Sequence, residues 1–443
     1  MSYAAAIDQL NALAPELLIS PGRPRRKFAL EDIRVLLAAL GDPQRRFRSI
    51  LIAGTNGKGS TAATLAAILT VSGLRTGLYT SPHLARANER IRLDGVEIKD
   101  DVFARLYFRV HDAAQKLVMD GLLPQMPSYF EVLTAQAFIY FAEVGAEIAV
   151  LEAGMGGRLD ATNSVDPLLS VITDISLDHM EWLGTTIAAI TREKAGILRP
   201  GGTMITLPQH PDANLVLGEA AAELGVRIVN ATDFMPPHSV GPNDPYSVQA
   251  LGAAVEVDSP LKGTHQQRNL ALAIATAVEL ATTHGFPVTP ASIAIGIRQT
   301  YWPGRLEHIE RGSVEWILDV AHNPAGAWAL RAGLRNSLEA KRPRRLIFSC
   351  LRDKPVTEMA QILFPLFEQI MLAPIQSARA AAMSDLLAAA RATGTPAVAC
   401  KSVSEAMQRA EEGAERGLIV VSGSVYLVGE ARTLLLKGKR SKE

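Results

Sequence analysis

Two rhythms of apolar and polar positions alternate along the chain. Short, nearly continuous apolar runs at 50–53, 76–79, 148–152 and 168–175 predict buried strands. Stretches with helical spacing lie around them, at 4–18, 30–40, 61–69, 101–120, 129–144, 185–198 and 269–284. Residues 88–96 add a short strand with an Asp94-Gly95 turn. Strands alternating with helices indicate a mostly parallel sheet covered on both faces. Residues 203–262 break this order with short strands, many prolines and a Pro236-Pro237 pair, and predict a β-rich appendage. A second series begins after Pro303-Gly304, with apolar strands at 315–320, 345–351, 369–373, 397–400 and 418–422. That series is about 140 residues long, the size of a domain. The predicted organisation is an N-terminal domain over 1–297 and a C-terminal α/β domain over 298–443.

At 443 residues the chain exceeds one ordinary domain, and 48% hydrophobic residues suffice for substantial cores. A formal net charge of +0 argues against a protein that coats nucleic acid. Two cysteines, Cys350 and Cys400, are too few for a disulfide framework and read as core residues of a reduced protein. The N-terminus lacks the basic, apolar, small-residue order of a signal peptide. No apolar run approaches the roughly 18 residues of a membrane span. The expectation is a cytoplasmic, monomeric enzyme with neither nucleic-acid nor membrane partners. The basic run Arg23-Pro24-Arg25-Arg26-Lys27 reads as a solvated loop.

The chemistry centres on Gly54-Thr55-Asn56-Gly57-Lys58-Gly59-Ser60, which joins an apolar strand to a helix. Backbone N–H groups and the helix dipole at such a turn hold phosphate oxygens, and Lys58 adds a full positive charge. The strict phosphate-loop pattern has Ser or Thr directly after Gly-Lys, whereas Gly59 intervenes here. Four further clusters end strands, where α/β sheets place ligands. They are Ser81 with His83; Glu152 before a glycine turn; Asp174, Asp178 and His179; and Asp319, His322 and Asn323. A hydroxyl and a carboxylate in one cleft with a phosphate loop suit Mg²⁺, for which His179 is an unusual ligand. Lys194 lies mid-helix, and its pattern alone makes it a surface lysine.

The glycine loop resembles that of the Mur-ligase superfamily, and the glycine after its lysine resembles the folylpolyglutamate synthase/dihydrofolate synthase branch. Ser81-Pro82-His83-Leu84, Asn88-Glu89-Arg90, Phe130-Glu131, 151–163, Asp178-His179, Glu193-Lys194-Ala195-Gly196, Asn269, Pro303-Gly304-Arg305 and 319–324 resemble that family's motifs, in its order. The resemblance implies a P-loop ATPase-type parallel-sheet domain followed by a Rossmann-like α/β domain. It places ATP on Thr55, Asn56, Gly57, Lys58, Gly59, Ser60, Asn269, Arg305 and Asp319. It implies Mg²⁺, at two sites, with Ser81, Glu152 and His179 as ligands. It puts the pterin or folate near Ser128, Tyr129, Phe130, Glu131, Leu159, Asp160 and Ala161. It also reverses the reading of Lys194, which is carbamylated in similar enzymes and there helps to hold the second metal ion.

The implied reaction uses ATP to join L-glutamate to dihydropteroate or a reduced folate through an acyl phosphate, with Lys58, Lys194 and His322 as catalytic residues. Hinge closure about 296–303 is expected to assemble the site. Two alternatives stand beside this reading: a Mur-type amino-acid ligase of cell-wall synthesis, and a nucleotide-switch protein that performs no ligation.

Overall fold

The computed structural model describes residues 2–13, 29–340 and 342–440. The basic run at 23–27 and the end of the first predicted helix lie outside the described residues. The chain divides into two compact units. The first comprises Met1–His83, Ala87–Pro260 and Gln266–Tyr301; the second comprises Leu84–Arg86, Leu261–His265 and Trp302–Glu443.

Unit one is built on an eight-stranded sheet. Its strands are β1 (Arg48–Ala53), β2 (Thr76–Tyr79), β3 (Ile91–Leu93) and β4 (Val96–Glu97), then β5 (Ile148–Glu152), β6 (Leu169–Ile172), β7 (Thr203–Thr206) and β8 (Arg227–Asn230). The order is β4-β3-β2-β5-β1-β6-β7-β8. All neighbours from β2 to β8 pair parallel, while β3 and β4 form an antiparallel edge. β1 lies between β5 and β6, and Ile52 pairs with Glu152 while Ala53 pairs with Ile172. The C-terminal ends of these central strands therefore open side by side, where open parallel sheets bind ligands. β5 is buried along its whole length, as a central parallel strand covered on both faces must be.

The predicted appendage at 203–262 is corrected. β7 and β8 continue the main sheet, with the helix Pro211–Leu224 between them. Only β9 (Tyr246–Ala250) and β10 (Ala253–Val257) stand apart, as an antiparallel hairpin. The helix predicted from Asn269 starts earlier, at Thr264, and runs to His284.

Unit two carries β11 (Glu307–Arg311), β12 (Val314–Leu318), β13 (Arg344–Phe348), β14 (Gln369–Leu372), β15 (Ala397–Ala399) and β16 (Leu418–Ser422). Their order is β11-β12-β16-β13-β14-β15, parallel except for the edge strand β11. Leu346, Phe348, Leu418 and Val420 join the core on one face; Ile347, Ile419 and Val421 join the core on the other. Successive side chains thus alternate between two buried layers, which explains why these strands read as unbroken apolar runs.

Candidate active site in the nucleotide-loop unit

β1 ends at Ala53 and the helix Lys58–Val71 starts four residues after the intervening glycine loop opens. Gly57 caps that helix with φ of 89°, a left-handed conformation in which L side chains are strained. A Cβ there would also come 2.1 Å from Asn269 Oδ1. The Thr55 and Asn56 amides donate to the Asp174 carbonyl at 2.8 and 3.1 Å. The Thr55 hydroxyl exchanges hydrogen bonds with Ser176, donating to its carbonyl and accepting from its amide. These two residues therefore shape the loop. The N–H groups of Lys58, Gly59 and Ser60 precede the first helical bond, Thr61 N to Gly57 O, and are the donors that such a helix start offers to an anion. Gly57→Ala should raise the Kd for ADP by about tenfold or more, since strain and a clash fall together on the cradle. Calorimetric titration with ADP checks this; an unchanged Kd would remove Gly57 from the cradle.

The neighbouring strand ends carry the predicted metal ligands. The Ser81 amide donates to Glu152 Oε2 at 3.1 Å, and Glu152 is buried. His179 adopts φ of 51° at the N-cap of a short helix, Met180–Leu183, and its amide donates to the Asp178 carboxylate. Among the described residues, no group of three His, Cys, Asp or Glu side chains could hold a metal ion. The donors do suit Mg²⁺, which takes one or two carboxylates and completes its shell with substrate phosphates and water. His83, beside Ser81, is held neutral: burial and then the Arg90 charge pull it down to about 3. Arg90 Nε donates to His83 Nδ1 at 2.9 Å, so the ring proton sits on Nε2.

Lys194 is not at the surface. It is 4% exposed, and its Nζ donates to the Gly54 carbonyl at 2.6 Å. Burial and then the Lys58 charge pull its ammonium down to about 7. The helix Ile187–Ala195 thus presents its one buried cation to the loop itself, a placement helical spacing alone does not reveal.

The predicted pterin contacts divide by role. Ser128 and Glu131 form a reciprocal capping box on the helix Tyr129–Glu143, so their side chains start that helix. The Phe130 ring lies so close to Gly154 that a Cβ there would approach within 2.6 Å, and the Arg90 guanidinium stands 5.3 Å from the Tyr129 ring centre. Asp160 is buried; its carboxylate accepts from Met155 N, Thr162 N and the Thr162 hydroxyl. Asp160 thus also holds its own loop, with Leu159 37% exposed on one side and Ala161 buried on the other. Asn163 closes the 151–163 motif without being a candidate site residue by sequence. Its amide donates to the Arg158 and Gly196 carbonyls, fastening this loop to the end of the Lys194 helix. Its partner at Gly196 lies 33 positions away, so no local pattern signals it.

In unit two, Asp319 accepts from the Leu306 and Ala321 amides, both at 2.9 Å. It therefore orders the loop that bears Arg305, whose Nη1 donates to Gly304 O. His322 Nδ1 lies 2.9 Å from the Val320 carbonyl, which puts the proton of the neutral ring on Nδ1.

Residues 52–277 match the Mur ligase middle domain, and residues 304–425 match the Mur ligase glutamate ligase domain. The folylpolyglutamate synthase of Lacticaseibacillus casei is 36% identical over 425 residues, covering 92% of this chain and 94% of that protein. The dihydrofolate synthase/folylpolyglutamate synthase of Mycobacterium tuberculosis is 34% identical, covering 95% and 91%. A crystal structure of the Mycobacterium tuberculosis folylpolyglutamate synthase complexed with ADP and AMPPCP superposes with a TM-score of 0.87 at 32% identity, covering 98% of this chain and 99% of that one. E. coli FolC in complex with DHPP and ADP gives 0.81 at 28% identity, with 99% of each chain covered. Likeness of this extent, across both units and with the nucleotide loop in place, makes the chain a member of the folylpolyglutamate synthase/dihydrofolate synthase family of Mur ligases.

Proposed function

We propose that this chain is an ATP-dependent ligase that adds L-glutamate to dihydropteroate and to reduced folates. The observation that carries the reading is the convergence of the Lys58 loop, the Ser81–Glu152 pair and buried Lys194 at the C-terminal ends of β1, β2 and β5. A carboxylate acylates amines poorly. The substrate carboxylate oxygen first attacks the γ-phosphorus of ATP, giving an acyl phosphate and ADP. The glutamate amine then attacks the acyl carbon, an amide bond forms, phosphate leaves and the amine loses a proton. Positioning and charge neutralisation supply most of the acceleration in such transfers.

Lys58 and the amides of Gly59 and Ser60 hold the transferring phosphoryl group, and Asn269 buttresses their loop at Gly57. Arg305 adds a second cation to the nucleotide, and Asp319 orders the loop that carries it. His322 contacts phosphate or the incoming glutamate. Mg²⁺ would be held by Ser81, Glu152 and His179, with a second ion on carbamylated Lys194 and His179; when bound it neutralises phosphate charge. The pterin-bearing substrate lies along Tyr129, Phe130, Leu159 and Ala161, while Ser128, Glu131 and Asp160 hold those contacts in place. The protein acts as a monomer in the cytoplasm. No helix among the described residues is long and apolar enough to cross a membrane.

Dihydropteroate should turn over as well as tetrahydrofolate, because Leu159-Asp160-Ala161 resembles the corresponding stretch of bifunctional bacterial enzymes. ADP release at saturating ATP and L-glutamate, measured with each acceptor, tests this. Turnover with tetrahydrofolate alone would restrict the activity to polyglutamylation.

A further inference from the structure

The phosphate loop is held by two consecutive residues of one helix, and the reaction scheme uses only one of them. Asn269, in the helix Thr264–His284, lies against Gly57 at the helix end of the loop. Arg268 reaches the other end indirectly. Its Nε donates to both carboxylate oxygens of Asp174 at 3.0 and 2.9 Å, and its Nη2 donates to Oδ1 at 2.6 Å. Nη2 also donates to the Pro208 carbonyl at 3.0 Å. The backbone carbonyl of this same Asp174 accepts from both Thr55 and Asn56. The following residues are fastened too, through Ile175 N to Gln209 Oε1 and through Ser176 to the Thr55 and Asn56 side chains.

We infer that Arg268 is a positioning residue for nucleotide binding: by clamping Asp174 it fixes the carbonyl on which Thr55 and Asn56 hang, and so pre-shapes the phosphate cradle. The inference rests on the nucleotide-loop reading given above. An ion pair whose side chains are 26% and 37% exposed would ordinarily contribute little. This pair differs in its fork geometry and in the further bond to Pro208, which together leave the guanidinium one orientation. Its effect is also local: the group it restrains is the acceptor for two loop amides. A cradle that is loose before binding must be ordered by the ligand, and that cost appears as lost affinity.

The test compares the full-length wild type with Arg268→Ala, Arg268→Lys and Asp174→Asn, using ADP as the calorimetric probe and steady-state kinetics for each substrate. Arg268→Ala should raise the ADP Kd and the KM for ATP about tenfold, the loss expected for one charge-assisted contact. KM for the pterin substrate and for L-glutamate should change by less than about twofold. Arg268→Lys, which cannot reproduce the fork, should fall between wild type and alanine. Asp174→Asn keeps the shape and weakens the pair, and should shift the same two constants in the same direction should alanine at 268 prevent folding. An ADP Kd unchanged in these variants, in a wild type that binds ADP, overturns the clamp and spares the nucleotide reading. An equal rise in every substrate's KM also overturns the clamp, since it marks general loosening. A wild type that binds no ADP overturns both.

Discussion

Lys58→Ala should abolish ATP turnover, lowering kcat by about 10²–10³-fold, the cost of removing one preorganised charge from a developing phosphate. The fold should survive, because among the described residues the Lys58 ammonium donates only to the Thr55 carbonyl, at 3.2 Å and within its own loop. The side chain is only partly buried. Circular dichroism and the melting temperature should match the wild type while phosphate release disappears. Near wild-type turnover in the purified variant would remove the point charge from the mechanism.

Lys194→Ala and Lys194→Arg should both lose activity by about 10²-fold or more, an effect comparable with loss of an electrostatic catalytic group. The two substitutions separate two roles. As a plain ammonium, Lys194 only pins the Gly54 carbonyl, and arginine keeps a donor for that bond. As a carbamate it has lost one proton to become the neutral amine, then gained CO₂ at Nζ with release of a second proton. It then retains one N–H for Gly54 and gains an anionic group that attracts a divalent cation an ammonium would repel. Arginine cannot be modified in this way. Burial that holds the amine down to about 7 leaves a neutral fraction at physiological pH, the form that reacts with CO₂. Acetate or bicarbonate should restore part of the activity of Lys194→Ala. Carbon-13 spectra of wild type in labelled bicarbonate should show a carbamate resonance that is missing from Lys194→Arg. Full activity in Lys194→Arg would reduce the residue to a loop pin.

How far the sequence carries depends on whether a feature is local. The strand Ile148–Glu152 and the strand Leu418–Ser422 fall where their apolar runs predict, because a parallel strand buried on both faces has a pattern of its own. The glycine loop is legible for the same reason: spacing, charge and position lie within a few residues. β8 is not legible, since it closes the sheet edge with Arg227, Ile228 and Asn230 exposed and shows no apolar run. Proline-rich surroundings then suggested an appendage where the sheet in fact continues. The capping box at Ser128 and Glu131 has a readable signature, a serine followed three residues later by a glutamate. Lys194 is the opposite case. Its partner is a carbonyl 140 positions away, so its burial follows from tertiary packing and helical spacing places it on the surface.

The central claim, that nucleotide cleavage here serves amide formation between a pterin-bearing carboxylate and glutamate, is tested most directly by one stoichiometric measurement. Phosphate release and glutamate incorporation are followed together on the wild-type protein with ATP and dihydropteroate, with and without L-glutamate. The account predicts one phosphate released per glutamate joined, and no sustained release when L-glutamate is left out. Continuous phosphate release without glutamate, or ligation to a UDP-muramyl acceptor in place of dihydropteroate, would contradict it.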